Sequence, residues 1–282
     1  MGRTEMRCAF SSIAWTADQA TGIARLLRAN GAAAIEASPA LFTAPLDAVT
    51  PAMAKEVRAF WEDAGLPIVA MQSLLFGKPN LSLFQSAHER TEMAQYLRHI
   101  FRLAGSLGAI PLIFGSPGNR KRKELSPENA FETGASFFAE LAPYAQSEGV
   151  VLCIEANAEA YGCDFITTHA EAAQLVKTVN HPGFGLQIDT GVMQMNGEAP
   201  DALKQCLTDL NIIPSHVHIS QPFLEPVVSL DVSFHQSLYQ TLCDLSYPGI
   251  VSIEMKRPEK DQTATILRDA LSAVIPLYSQ KR

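Results

Sequence analysis

The chain has 282 residues, of which 47% are hydrophobic and 18% are charged, and its formal net charge is −7. This composition is typical of a folded globular protein and not of a disordered chain. The negative charge argues against nucleic acid or an anionic membrane as a partner, because both attract basic proteins. No apolar run approaches the roughly 20 residues that cross a bilayer. The start, MGRTEMRCAF, lacks the apolar segment of a secretory signal.

The five cysteines are scattered along the chain and include no Cys-x-x-Cys pair. An odd number of separated cysteines does not make a disulfide framework, and Cys8 and Cys153 lie inside apolar runs. Reduced thiols of this kind are typical of cytoplasmic proteins, so we expect a cytoplasmic location.

Strand-like and helix-like segments alternate along the whole chain. Near-continuous apolar runs, typical of strands buried on both faces, occupy residues 7–15, 33–38, 67–73, 110–116, 150–155, 185–189, 213–220 and 249–254. Stretches with helical features follow them at residues 16–31, 50–65, 88–108, 127–149, 168–180, 198–211, 231–245 and 263–278. Thr50 before Pro51 is a typical helix start, and Gly108 is a typical helix stop.

Eight such strand–helix units predict an α/β fold, a (β/α)8 TIM barrel that occupies residues 1–282 as a single domain. An open, doubly wound sheet is the alternative. That fold would carry a glycine-rich phosphate loop after an early strand, and none is present. No linker or low-complexity segment interrupts the chain.

Four consecutive predicted strands end in residues that can bind a metal ion: Glu155, Asp189, His218 and Glu254. A single acid at a strand end is more often a helix cap or an ion-pair partner. The carboxyl ends of barrel strands surround one mouth, however, so these four side chains are expected to converge. Three carboxylates would repel one another there, and a divalent cation would remove the repulsion. The set suits Mn²⁺ or Mg²⁺ and also accommodates Zn²⁺ or Co²⁺.

This ordered set resembles the xylose isomerase-like TIM-barrel superfamily of sugar isomerases and epimerases. The segments VLCIEAN, HPGFGLQIDTG, HVHIS and YPGIVSIEMK carry the resemblance, over about residues 150–256. The first half agrees mainly in rhythm and in IEAS and FGSPGNR. The resemblance implies one divalent metal ion bound by the four residues, with Glu155 and Glu254 as the catalytic acid–base pair.

The same resemblance implies isomerisation or epimerisation of a sugar or sugar phosphate through a metal-stabilised enediolate. A metal chelated by a ketose carbonyl and its neighbouring hydroxyl acidifies the carbon-bound proton between them. Return of the proton to the opposite face gives epimerisation at C3, and transfer on one face gives aldose–ketose isomerisation.

Two positions depart from many epimerases of the superfamily. Val192 stands three residues after Asp189, where those enzymes carry a histidine that contacts the substrate. No arginine follows His218 in ISQPFLEP, where many of them have one. The metal ligands are intact while familiar sugar contacts are missing, so a free hexulose is not assigned as the substrate.

Several residues near the predicted mouth are candidates for substrate binding. Asn157 and Tyr161 lie in the loop after strand five, which resembles the substrate-side loop of the family. Glu36 ends strand two and is expected to bind a substrate hydroxyl or to pair with a cation. His216 suits a hydrogen bond in the core as well as a substrate contact, and Lys256 suits the surface as well as the substrate.

The loop after strand four, GSPGNRKRKEL, carries four basic residues. A run of charge is usually a solvated surface. At the mouth of an acidic protein these side chains are also placed to hold a phosphate or carboxylate of the substrate. Arg120 is the first candidate for that contact.

Two other functions share this architecture. A phosphodiesterase like endonuclease IV would bind several zinc ions through additional histidines, but Glu36, Gln72 and Val192 stand at the positions considered for them. A barrel that binds a sugar without converting it is the second alternative. We expect a small carbohydrate or sugar phosphate as the partner and a homodimer as one form of assembly.

Overall fold

The protein folds as a closed barrel of eight parallel strands, seen in a computed structural model that describes residues 6–279. The strands pair in chain order, and the last pairs with the first. They are β1 (Arg7–Ser11), β2 (Ala34–Ala37), β3 (Ile68–Met71), β4 (Pro111–Phe114), β5 (Val151–Glu155), β6 (Phe184–Asp189), β7 (His216–Ile219) and β8 (Ile250–Ile253). The predicted (β/α)8 TIM barrel is thereby confirmed.

Helices surround the barrel, and those of the described residues include one that the sequence did not predict. They are α1 (Ala20–Ala29), α2 (Pro51–Asp63), α3 (Ala87–Leu107), α4 (Pro127–Ser147), α5 (His169–Val179), α6 (Thr190–Asn196), α7 (Pro200–Leu210), α8 (Val232–Asp244) and α9 (Thr263–Tyr278). The additional helix is α6, which starts directly after β6. Within residues 6–279, no helix combines the length and the apolar character needed to span a membrane.

Local signals in the sequence set the helix ends as expected. The hydroxyl of Thr50 accepts a hydrogen bond from the N–H of Met53 and caps α2. Gly108 ends α3 with a φ of 86°, a left-handed conformation that favours glycine. The first predicted strand, 7–15, is too long, because the chain turns over Ser12–Ala14 directly after β1.

The register of the barrel brings the carboxyl ends of β6, β7 and β8 to the same level along the barrel axis. Asp189 pairs with His218 across β6 and β7, and His218 pairs with Ser252 across β7 and β8. Glu254 follows β8 directly. The strand interiors are buried, so polar side chains at the ends face a mouth that sits on a rigid apolar core.

Candidate metal centre and active site

The four predicted metal ligands meet at the mouth of the barrel. Glu155 is the last residue of β5, Asp189 the last residue of β6, His218 lies in β7, and Glu254 follows β8. One ligand atom from each of them lies within 4.8 Å of those of the others. The structure therefore brings together residues that are up to 99 positions apart in the sequence.

The imidazole Nδ1 of His218 faces all three acids. It lies 3.1 Å from Glu254 Oε2, 3.3 Å from Glu155 Oε1 and 3.9 Å from Asp189 Oδ2. This nitrogen is buried and has no hydrogen-bond partner among the described residues. A nitrogen that points into a group of carboxylate oxygens without a regular hydrogen bond fits a shared cation between them.

Behind the imidazole, Glu36 determines how His218 is oriented. The Nε2 of His218 lies 3.0 Å from both carboxylate oxygens of Glu36, which is fully buried. A carboxylate accepts hydrogen bonds, so Nε2–H is the donor and Nδ1 is directed towards the three acids. Histidines that bind metals usually donate their other ring N–H to a carboxylate in this way, which fixes the ring and makes the ligating nitrogen more basic.

Charge crowding raises the proton affinity of the site. Burial, together with the charge of Glu155, raises the pKa of Asp189 above its usual value. Burial also raises the pKa of Glu254 to about 7, with Glu155 and Asp189 adding to the shift and His218 opposing it. Burial opposes a charge on His218, but Glu36 and Glu254 outweigh it and raise its pKa well above normal. A divalent cation would replace these protons and relieve the repulsion.

Two further hydrogen bonds fix the carboxylate of Asp189. Its Oδ1 accepts from the backbone N–H of Val192 at 2.7 Å, and its Oδ2 accepts from the hydroxyl of Ser220 at 2.8 Å. Val192 thus takes part through its backbone N–H and not through its side chain. The bond to Oδ1 also caps α6, which explains why a helix begins at the end of β6.

The backbone of Asp189 is held by a buried histidine and its half-buried glutamate partner, neither of which the sequence predicted. His169 Nε2 accepts from the N–H of Asp189 at 3.0 Å, and its Nδ1 lies 2.8 Å from Glu198 Oε2. Because Nε2 accepts, Nδ1–H donates to the carboxylate. No local sequence motif indicates these contacts, because each joins residues at least 20 positions apart. The residues concerned are His169, Glu198 and Ser220.

Glu155 is positioned by residues of two loops, the one after β4 and the one after β5. Asn157 Nδ2 donates to Glu155 Oε2 at 3.0 Å, and Arg120 donates to the backbone carbonyl of Glu155 at 2.7 Å. A Cβ atom at Gly115 would lie 2.3 Å from Glu155 Oε2. Gly115 is therefore the residue that lets this carboxylate pack against the end of β4.

A cavity of about 460 Å³ opens above these residues. Its lining includes the carboxylates of Glu155, Asp189 and Glu254 together with Asn157 and Tyr161. The structure thus places both residues of the β5 loop, Asn157 and Tyr161, in the cavity wall, and their contact with a substrate stays a prediction. The volume is within the range of pockets that take small organic ligands.

The other four candidates for substrate contact lie outside the lining of this cavity, and for Glu36, His216 and Lys256 the structure shows the alternative interpretation that the sequence left open. Glu36 is bonded to His218 in the core, and His216 is a core histidine whose Nε2 lies 2.9 Å from Ser252 Oγ. Arg120 is fully buried and points towards the backbone of β5. Lys256 is exposed and pairs with Glu225. None of the four lines the cavity.

Comparison with known proteins places this chain in a family. A sequence model described as xylose isomerase-like TIM barrel matches residues 24–275. The chain belongs to this family. A comparison with curated proteins finds no match.

Solved structures share the fold at low sequence identity. D-Psicose 3-epimerase with D-tagatose from Clostridium cellulolyticum H10 is 15% identical with a TM-score of 0.76, covering 95% of this chain and 97% of that one. The 3-keto-D-glucoside 4-epimerase of E. coli is 18% identical with a TM-score of 0.73, covering 95% and 98%. The IOLI protein with a bound zinc atom is 16% identical with a TM-score of 0.70, covering 97% and 98%.

We predict that Glu36→Gln weakens Mn²⁺ binding about 10–100-fold, the usual effect of losing a carboxylate that accepts a hydrogen bond from a metal-binding histidine. A neutral amide holds the Nε2–H of His218 less strongly and makes Nδ1 a poorer ligand. Isothermal titration calorimetry measures the affinity, and thermal unfolding without metal checks that the variant is folded. Unchanged affinity in a folded variant would show that Glu36 does not support the site.

We also predict that Gly115→Ala weakens Mn²⁺ binding by about 10-fold or more, since the new methyl group displaces the Glu155 carboxylate. Gly118→Ala is the matched control. It lies in the same loop, and a Cβ there has no heavy atom within 4 Å. Equal affinities for the two variants would contradict the positioning of Glu155 by Gly115.

Proposed function

We propose that the protein is a divalent-metal-dependent sugar isomerase or epimerase. The observation that carries this proposal is the placement of two glutamates, Glu155 and Glu254, at the two ends of the ligand set. They come from β5 and β8, while Asp189 and His218 come from the two strands between them. Both glutamates line the cavity, so each can reach a substrate from its own side.

The metal ligands in this proposal are Glu155, Asp189, His218 and Glu254. One ion of Mn²⁺ or Mg²⁺ is favoured by three oxygen donors and one imidazole, with Co²⁺ or Zn²⁺ as alternatives. When bound, such an ion polarises a carbonyl and its neighbouring hydroxyl and makes the adjacent C–H bond more acidic. Asp189 and His218 are held by hydrogen bonds that leave them little freedom, which suits ligands that take no proton.

Glu155 and Glu254 are proposed to move the proton. One carboxylate removes it from the carbon next to the ketone, and the other returns it to the opposite face for epimerisation. Transfer on a single face would give isomerisation between ketose and aldose. The bond from Asn157 Nδ2 to Glu155 Oε2 leaves the other oxygen of Glu155 directed towards His218 and the shared site.

The relatives support this reaction class. Among the solved structures that share the fold are D-psicose 3-epimerase, 3-keto-D-glucoside 4-epimerase and L-ribulose 3-epimerase.

The two alternative functions, a phosphodiesterase like endonuclease IV and a barrel that binds a sugar without converting it, receive no specific support. In the described residues, the second His-containing cluster, Glu36 with His216 and His218, lies in the core beneath the cavity and does not offer further zinc ligands to it.

We predict that the Mn²⁺-loaded protein exchanges a carbon-bound proton of a ketose for deuterium in D₂O, and that Glu254→Gln lowers this rate about 10²–10⁴-fold. The amide cannot accept or return the proton. Mass spectrometry of a panel of ketoses, including D-psicose, L-ribulose and D-tagatose, measures the exchange.

Lys256→Gln serves as the control for this experiment. Lys256 is near Glu254 in the chain but pairs with Glu225 outside the cavity, so its removal is expected to change the rate by less than about twofold. Exchange by Glu254→Gln at the wild-type rate, with metal bound, would contradict the acid–base role of Glu254.

A further inference from the structure

The cavity above the metal centre contains acidic side chains but no basic ones. Glu155, Asp189 and Glu254 line it, and neither lysine nor arginine is among its lining residues, all of which are described. Three carboxylates exceed the charge of one divalent cation. A phosphate group entering this cavity would meet net negative charge without a counter-ion of its own.

The basic side chains near the mouth make contacts elsewhere. Arg120 is buried and donates to the carbonyl of Glu155, whereas the Nε of Arg122 donates to the carbonyl of Asp164. Lys123 contacts Gln85, and Lys256 contacts Glu225. Three of the four basic residues after β4, which the sequence suggested as a phosphate site, therefore contact the backbone or the loops, and the fourth, Lys121, does not line the cavity either.

Apolar side chains occupy a large part of the cavity wall. Leu75 and Phe76 come from the loop after β3, Val192 from α6, and Leu224 from the loop after β7. The side chain of Phe76 is 74% exposed, which is unusual for a large aromatic residue without a partner. Phe76 and Leu224 thus offer an open apolar surface at the cavity, next to buried carboxylates that would bind the polar end of a ligand.

The backbone beside these residues adopts conformations that are rare for residues other than glycine. Leu224 has a φ of 55° and Phe223 a φ of 60°, and Ser73 has a φ of 58°. Strain of this kind tends to cluster at functional sites. The N–H of Phe223 donates to the hydroxyl of Tyr161 at 2.8 Å, which fixes the loop against the cavity wall.

One polar atom in the cavity wall has no partner. The Oδ1 of Asn157 is buried without a hydrogen bond, although the Nδ2 of the same side chain donates to Glu155. Because Asn157 lines the cavity, its Oδ1 can accept a hydrogen bond from a hydroxyl of a bound molecule. The polar contacts are thus concentrated beside Glu155.

We propose that the substrate is an uncharged ketose derivative with an apolar group at the end remote from its carbonyl. The hydroxyl-bearing end lies against the carboxylates and Asn157, and the apolar group packs on Phe76 and Leu224. This inference rests on the proposed function, and it excludes sugar phosphates as preferred substrates. A cavity of about 460 Å³ has room for a group attached to a six-carbon sugar.

Three matched probes test the inference: D-fructose, D-fructose 6-phosphate and 6-O-benzyl-D-fructose. Calorimetric titration of the Mn²⁺-loaded protein measures their affinities, and deuterium exchange from D₂O is followed on the same samples. We expect the benzyl compound to bind at least about 10-fold more tightly than D-fructose, because burial of apolar area is favourable. The phosphate should bind at least about 5-fold more weakly than D-fructose, because like charges repel.

Phe76→Ala should reduce the advantage of the benzyl compound to about twofold or less, since the apolar contact is lost. Phe60→Ala is the matched control, because Phe60 is also exposed but lies on α2 outside the cavity, and it should keep the advantage. Size-exclusion chromatography of both variants accompanies the titrations. A changed assembly state for Phe76→Ala with the advantage intact would assign Phe76 to an interface between chains and overturn the inference.

The remaining outcomes separate this inference from the proposed function. Deuterium exchange with equal or tighter binding of the phosphate, or with no preference for the benzyl group, would overturn the substrate class while the enzyme class stands. The expected order of affinities without exchange of any probe would support the selectivity of the cavity and count against catalysis. No binding of any probe would contradict the inference, because the apolar contact alone should retain the benzyl compound.

Discussion

The site depends on one imidazole placed between buried carboxylates. His218 has Glu36 behind it and Glu155, Asp189 and Glu254 in front of it. Buried carboxylates are costly unless positive charge compensates them. Without a metal ion, a protonated His218 supplies part of that compensation, in line with its raised pKa. A divalent cation would supply the positive charge instead, and the neutral imidazole would then bind it through Nδ1. The arrangement is therefore complementary to a divalent ion. Without positive charge between them, the three carboxylates would repel one another.

The barrel makes this arrangement possible because its strands end at a common mouth. Asp189 illustrates how the fold and the site share the same groups. One of its oxygens caps α6 through Val192, the other accepts from Ser220, and its backbone N–H is held by His169. An aspartate whose carboxylate is held by two hydrogen bonds and whose backbone is held by a third needs little reorganisation when a ligand binds, which is the usual basis of a pre-organised site.

Much of this could be predicted from the sequence. Buried parallel strands appear in a sequence as continuous apolar runs, so the sequence predicted the eight strands, and it also predicted which four candidate ligands would come together at their ends. The side-chain alternation of a strand also put His216 and His218 on the same side, but it could not show that Ser252 binds His216. That contact joins different strands and has no signature along the chain.

The loops were the least predictable part. Arg120 follows Ser116, whose φ of 47° begins the turn Pro117–Arg120, and the arginine ends up buried against β5. Nothing local distinguishes such a buried arginine from one that faces a ligand. His169 with Glu198 is a similar case, because the pair joins α5 to the segment before α7 and holds the metal site from outside the strands.

Diffraction from crystals soaked in Mn²⁺, with the ion located by its anomalous signal, is the most direct measurement of the central claim. We expect one ion at the mouth, with Nδ1 of His218 and an oxygen from each of Glu155, Asp189 and Glu254 about 2.0–2.3 Å away. An ion bound elsewhere, or one at the mouth that leaves Nδ1 of His218 uncoordinated, would contradict it.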